Sequence, residues 1–195
     1  MPAKPDERRR EELLERLRDV MLEEGFSGWR IGALATRLHC SRSTLYKLAP
    51  SKDALVLRLL NDVVSEGMDD AKSQASRLDS PAESITRYAE VLHEWQNRGS
   101  LRFWTDVSET PATQALIDAL SSRGQGTMKE FLDRGISTGR FRPANTIYLA
   151  RVIWQAARIT RIPAFLDEAG LDSGEAMDEL GLFIVHGMSW PAEQG

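Results

Sequence analysis

The sequence contains a single cysteine, Cys40, in 195 residues, so it can form no internal disulfide. With no second cysteine and no closely spaced histidine pair, it also offers no framework for structural zinc. It lacks any apolar run approaching the ~20 residues needed to cross a bilayer. The opening stretch Met1-Pro2-Ala3-Lys4-Pro5-Asp6 has no apolar core of the kind a secretory leader requires. These absences lead to the expectation of a soluble, cytoplasmic protein in a reducing environment, with no membrane partner. Internal repeats and low-complexity tracts are missing, and strand-like alternation of apolar and polar residues occurs almost nowhere, which argues against sheet-based folds.

What is present is a globular composition, 42% hydrophobic, in a chain long enough to bury a core. The net charge of −4 is unevenly distributed: residues 1–60 carry 12 basic and 9 acidic side chains, and residues 61–195 carry 13 and 20. Between residues 25 and 60, Arg30, Arg37, Arg42, Lys47, Lys52 and Arg58 are opposed only by Asp53. A local excess of this kind suits phosphate, while an acidic remainder repels it and leaves contact to the basic part.

Apolar spacing at helical periods recurs along the whole chain, which predicts an all-α fold of about nine helices. The first spans about Glu7 to Glu24 and ends at Gly25, placed as a left-handed cap. Short helices follow from Ile31 to about Leu38 and from Arg42 to Leu48, the latter stopped by Ala49-Pro50. Ser51 can cap a longer fourth helix. Ser80-Pro81-Ala82-Glu83 starts the fifth, with Ile85, Tyr88, Leu92 and Trp95 as its buried stripe. A sixth covers Leu101 to about Val107, and Pro111 opens a seventh that is expected to falter at Gly124 and Gly126. Residues 135–143 read as a loop. The eighth, about Asn145 to Arg161, is apolar around most of its circumference, and Asp172-Ser173-Gly174-Glu175 is a capping box leading into the ninth. Two terminal helices with more apolar surface than one core can use suggest a homodimer that packs through the eighth and ninth helices.

From Ile31 the spacing is that of a helix-turn-helix. Leu34, Leu38, Cys40, Leu45 and Leu48 fall at inward positions, and Ala35 stands where a larger residue would separate the two helices. His39 occupies the turn position that is often left-handed; His tolerates this better than most non-Gly residues. With Leu45 and Leu48 committed inward, Ser41, Arg42, Ser43, Thr44, Tyr46 and Lys47 face outward as a DNA-reading surface. Arg30 and Lys52 are further candidate contacts to double-stranded operator DNA, Lys52 from the first turn of the fourth helix.

The run Leu34-Ala35-Thr36-Arg37-Leu38-His39-Cys40-Ser41-Arg42-Ser43-Thr44-Leu45-Tyr46, with Pro50-Ser51-Lys52-Asp53-Ala54-Leu55 after it and Gly25-Phe26 before it, resembles the N-terminal domain of TetR-family (tetracycline-repressor-like) regulators. Motif similarity covers about residues 10–60; beyond it, the helix count and the turn at residues 138–143 look alike. Arg30 stands where that family usually places a Ser or Thr cap, His39 where it places Gly, and Leu48-Ala49 where it places an aromatic pair. The resemblance implies a DNA-binding domain at residues 1–52 and a ligand-sensing and dimerisation domain at 53–195. It further implies operator contacts from Ser41 to Lys47, with Tyr46 and Lys52 on phosphates, and release by an unidentified small-molecule effector, most often from a repressor.

Other signals are weaker. Gly135-Ile136-Ser137-Thr138-Gly139 matches the nucleophile-elbow string of hydrolases, but follows a helix in a chain without a sheet, so no catalytic residue is expected. No metal site and no cofactor are expected. Tyr88, Trp95, Phe103, Trp104 and Trp154 lie in the sensing half and are candidates to line an apolar effector pocket. The competing readings are a DNA-binding regulator without effector, and a helical small-molecule carrier or enzyme for which residues 1–60 are only a cap.

Overall fold

The computed structural model describes residues 5–160 and 163–189. Among the described residues there are ten helices and no strand: α1 (Pro5–Glu24), α2 (Ile31–Arg37), α3 (Arg42–Leu48), α4 (Lys52–Ala75), α5 (Pro81–Gln96), α6 (Leu101–Glu109), α7 (Pro111–Ser137), α8 (Thr146–Ile159), α9 (Pro163–Ala169) and α10 (Ser173–Met188). The all-α expectation holds. The helix expected as ninth is α10; the seven-residue α9 is additional.

The helix ends follow local chemistry. Gly25 adopts φ 73° and its N–H donates to the Met21 carbonyl, closing α1 in the left-handed conformation that Gly adopts without Cβ strain. Asp172 and Glu175 form the reciprocal capping box of α10. At α5 the Glu83 N–H donates to Ser80 Oγ over 3.4 Å.

Three expectations need correction. First, α7 runs unbroken through Gly124 and Gly126. Each glycine costs about 1 kcal/mol against Ala in a helix, but a Cβ on Gly124 would stand 2.0 Å from the Trp154 ring, so packing occupies the space that the missing side chain leaves. Second, α7 extends to Ser137, so the first part of the expected loop is helical and the chain turns only at Gly139, φ 70°. The elbow-like string is therefore the end of a helix. Third, the buried stripe of α5 is Ile85, Tyr88 and Val91, with Trp95 only half-buried, because the stripe advances by three after Tyr88. The expected end of the eighth helix, Arg161, lies outside the described residues; α8 is described to Ile159.

The chain divides into two compact units, residues 1–66 with 95–118, and residues 67–94 with 119–195. The first therefore contains α6 as well as the helix-turn-helix, whereas the sequence places a boundary at 52/53. Its core joins Leu17 and Met21 of α1, Leu34 of α2, Leu45 of α3, Leu55 and Leu59 of α4, and Phe103 of α6. In the second unit, Tyr88 of α5 meets Phe131 of α7 edge to face, ring centroids 5.8 Å apart. There α8 packs against α10, and the Arg142 N–H donates to the Met188 carbonyl. On α8, Ala150 and Ile153 are buried while Tyr148, Val152 and Ile159 lie exposed along the opposite face; Leu182 and Phe183 are exposed on α10, Phe183 at 78%.

Candidate nucleic-acid interface

The helix-turn-helix is built by short-range hydrogen bonds and one deep apolar seam. Leu34, Ala35, Leu38, Leu45 and Leu48 are buried, and Cys40 is half-buried against them, its thiol pKa raised by burial. The Cys40 N–H donates to the Ala35 carbonyl over 2.9 Å, and His39 carries the chain round the turn at φ 53°. A left-handed non-Gly residue costs something, which His bears better than a branched side chain. Ser41 caps α3: its Oγ accepts the Thr44 N–H at 3.0 Å and lies within hydrogen-bonding distance of the Ser43 and Thr44 hydroxyls. Ser41, expected as an operator contact, thus also caps the start of α3.

Burial of Leu45 and Leu48 turns the other side of α3 outward. Ser41, Arg42, Ser43, Tyr46 and Lys47 are exposed, Tyr46 at 51%, and Thr44 is half-buried. The Arg42 side chain lies over the first turn of α2, where a Cβ on Gly32 would come within 2.8 Å of its Nη2. Arg30, also exposed, occupies the N-cap position of α2 with extended backbone and no side-chain capping bond.

The six cations between residues 25 and 60 separate into two groups. Arg37 makes two hydrogen bonds to Glu24, 2.5 and 2.7 Å, and this pair lowers the Glu24 pKa. Arg58 donates to the Leu48 carbonyl, and Lys52 to the carbonyls of Phe26 and Ser27 at 3.5 and 3.3 Å. Among the described residues, no carboxylate pairs with Arg30, Arg42 or Lys47, so their charge is the part available to phosphates and base edges. Lys52, a candidate phosphate contact, is half-buried and has a structural task as well.

A residue missed in the sequence is Asp106 of α6. Its Oδ2 accepts the N–H of Phe26 at 2.5 Å and of Ser27 at 2.8 Å, and the residue is buried. Burial alone would raise its pKa, but the donors from Ser27 and Phe26 outweigh it, with the Arg102 charge acting in the same direction, and the carboxyl is held below the ordinary aspartate value. One signal was legible: Asp106 shares the buried face of α6 with Phe103 and Val107, and a carboxylate in such company requires donors.

The five aromatic effector candidates fall into both units. In the first, Phe103 is fully buried edge to face against Phe26 and Trp104, Trp104 donates through Nε1 to the Gln96 carbonyl, and Arg98 lies 4.3 Å over the Trp95 ring. In the second, Tyr88 is buried and Trp154 is half-buried against Gly124. Among the described residues no group of three or more His, Cys, Asp or Glu could hold a metal ion, and no helix is long and apolar enough to cross a membrane.

No family model matches the chain, and no curated protein matches it in sequence. Solved structures do resemble it in fold. A candidate transcriptional regulator of Saccharomonospora viridis, solved in complex with choline, superposes with TM-score 0.76 at 21% identity, over 95% of this chain and 100% of that one. A TetR-family transcriptional regulator of Agrobacterium tumefaciens gives 0.69 at 13% identity, covering 94% and 99%. A TetR-family regulator of Cytophaga hutchinsonii gives 0.72 at 14%, covering 98% and 100%. The chain has the fold of these all-helical regulators.

Proposed function

We propose, from a fold shared with TetR-family regulators, that this chain is a transcriptional regulator that binds a palindromic operator as a homodimer and is released by a small molecule. The carrying observation is the exposed face of α3, where Arg42, Tyr46 and Lys47 stand opposite buried Leu45 and Leu48. That arrangement is what a helix needs to enter a major groove: side chains for phosphates and base edges on one side, a rigid apolar anchor on the other. The role involves no catalytic step and is exercised in the cytoplasm, where operator DNA lies.

Dimerisation is supported by the exposed apolar face of Tyr148, Val152 and Ile159 on α8 with Leu182 and Phe183 on α10. Two copies packed through these helices form a closed, two-fold assembly, and operator half-sites then lie about one DNA turn, 34–36 Å, apart. An effector that favours a different spacing of the reading heads lowers affinity by linkage, and repression is the corresponding regulatory sense.

Mobility shift with the duplex upstream of the chain's own coding sequence tests the reading. Binding that weakens with rising salt is expected. Failure to bind any duplex at low salt would sink it. A thermal-shift screen of small molecules, choline included because the Saccharomonospora structure holds it, tests the effector: no stabilisation by any compound favours a regulator without one.

A further inference from the structure

The Phe26–Ser27 segment, which leads from α1 into the helix-turn-helix, is held from two helices at once. Asp106 of α6 takes both of its N–H groups, and Lys52 of α4 reaches both of its carbonyls. The Phe26 ring packs against Phe103, three residues before Asp106, with centroids 6.4 Å apart. One turn earlier the Ser100 N–H donates to the Leu22 carbonyl at 2.8 Å, so α6 is fastened to the end of α1 at two points. The approach is tight: a Cβ on Gly25 would stand 2.4 Å from Asp106 Oδ2.

Without Asp106, two amide donors beside the buried Phe26 would lose their acceptor, and the segment would be free to choose other turns before α2. The position of α3 depends on α2, and α2 hangs from this segment. We propose that Asp106 is a positioning residue for DNA binding: from α6, outside the helix-turn-helix, it fixes the entry to α2 and so the placement of the reading face. The inference rests on the DNA-binding reading and adds to it a residue that touches no DNA.

The test compares the full-length wild type with Asp106→Ala and Asp106→Asn on one operator duplex at fixed salt, with melting temperatures and amide hydrogen exchange at Phe26 and Ser27. Asn keeps an oxygen that can accept both N–H groups; Ala does not. Asp106→Ala is expected to bind about tenfold or more weakly, the scale of a lost hydrogen bond to a charged group, with faster exchange at both amides. Asp106→Asn is expected to restore most of the affinity. Equal losses in the two variants, or unchanged binding by a folded Asp106→Ala, would overturn the positioning role. Should the Ala variant not fold, Asp106→Asn and the wild type decide it: exchange at Phe26 and Ser27 must slow on adding duplex, and unchanged exchange rejects the proposal. Absence of wild-type binding removes the DNA-binding reading and the positioning role with it, whereas wild-type binding with an unaffected Ala variant removes the positioning role alone.

Discussion

Arg58 Nη1 donates to the carbonyl oxygen of Leu48 over 2.8 Å. Leu48 is the last residue of α3, and Arg58 stands two turns into α4, so the longer helix satisfies a terminal carbonyl of α3 with a charged donor. Arg58→Met keeps most of the stem and removes the donor. A loss of about 1 kcal/mol is expected, since the group is partly exposed, measured as a lower denaturation midpoint. Weaker DNA binding should accompany it, because the end of α3 frays.

The cations left without a carboxylate partner should behave differently from the engaged ones. Lys47→Ala is expected to weaken cognate and random duplexes alike and to reduce the steepness of the salt dependence by about one ion. Arg42→Ala should in addition relax base preference; equal effects on cognate and random DNA would count against base reading. Lys52→Ala should lower both affinity and melting temperature, since its ammonium also holds the Phe26 and Ser27 carbonyls.

Gly124→Ala places a methyl carbon 2.0 Å from the Trp154 ring. Overpacking of this kind costs about 1–3 kcal/mol, and Trp154→Ala in the same chain should recover part of it. A double-mutant cycle by thermal melting reads the coupling; additive losses would show that the two do not meet.

Tyr88 is buried, its hydroxyl makes no well-formed hydrogen bond among the described residues although Thr127 stands beside it, and burial pushes its pKa up to about 12 against the opposing effect of Thr127. Removing an unsatisfied buried hydroxyl should not harm the fold. Tyr88→Phe is expected to be neutral or to raise stability by up to about 1 kcal/mol. A clear loss would mean that the hydroxyl has a partner after all.

Phe183→Lys places a charge in the exposed apolar face of α10. If that face is the dimer interface, sedimentation should report monomers for the variant and dimers for the wild type, and operator affinity should fall steeply because two half-sites are no longer bound as one unit. Unchanged dimers with Phe183→Lys would place the interface elsewhere.

Nine of the ten helices among the described residues, the turn at His39 and the outward face of α3 were legible from order and spacing alone. Caps, periodicity and Pro or Gly boundaries act within a few residues, and the two inward leucines of α3 decide which of its side chains face out. Where local rules failed, tertiary packing prevailed: α7 passes two glycines unbroken, with the Trp154 ring seated on the first. The partners of charged groups were not legible. Arg37, Lys52 and Arg58 read as equal members of a basic excess with Arg42 and Lys47, yet the first three are engaged within the fold. Asp106 meets its donors across 79 and 80 residues of chain. Spacing determines which face of a helix is buried; only the assembled helices decide which carboxylate, carbonyl or ring each buried or half-buried side chain meets, because that choice is made by distance in space.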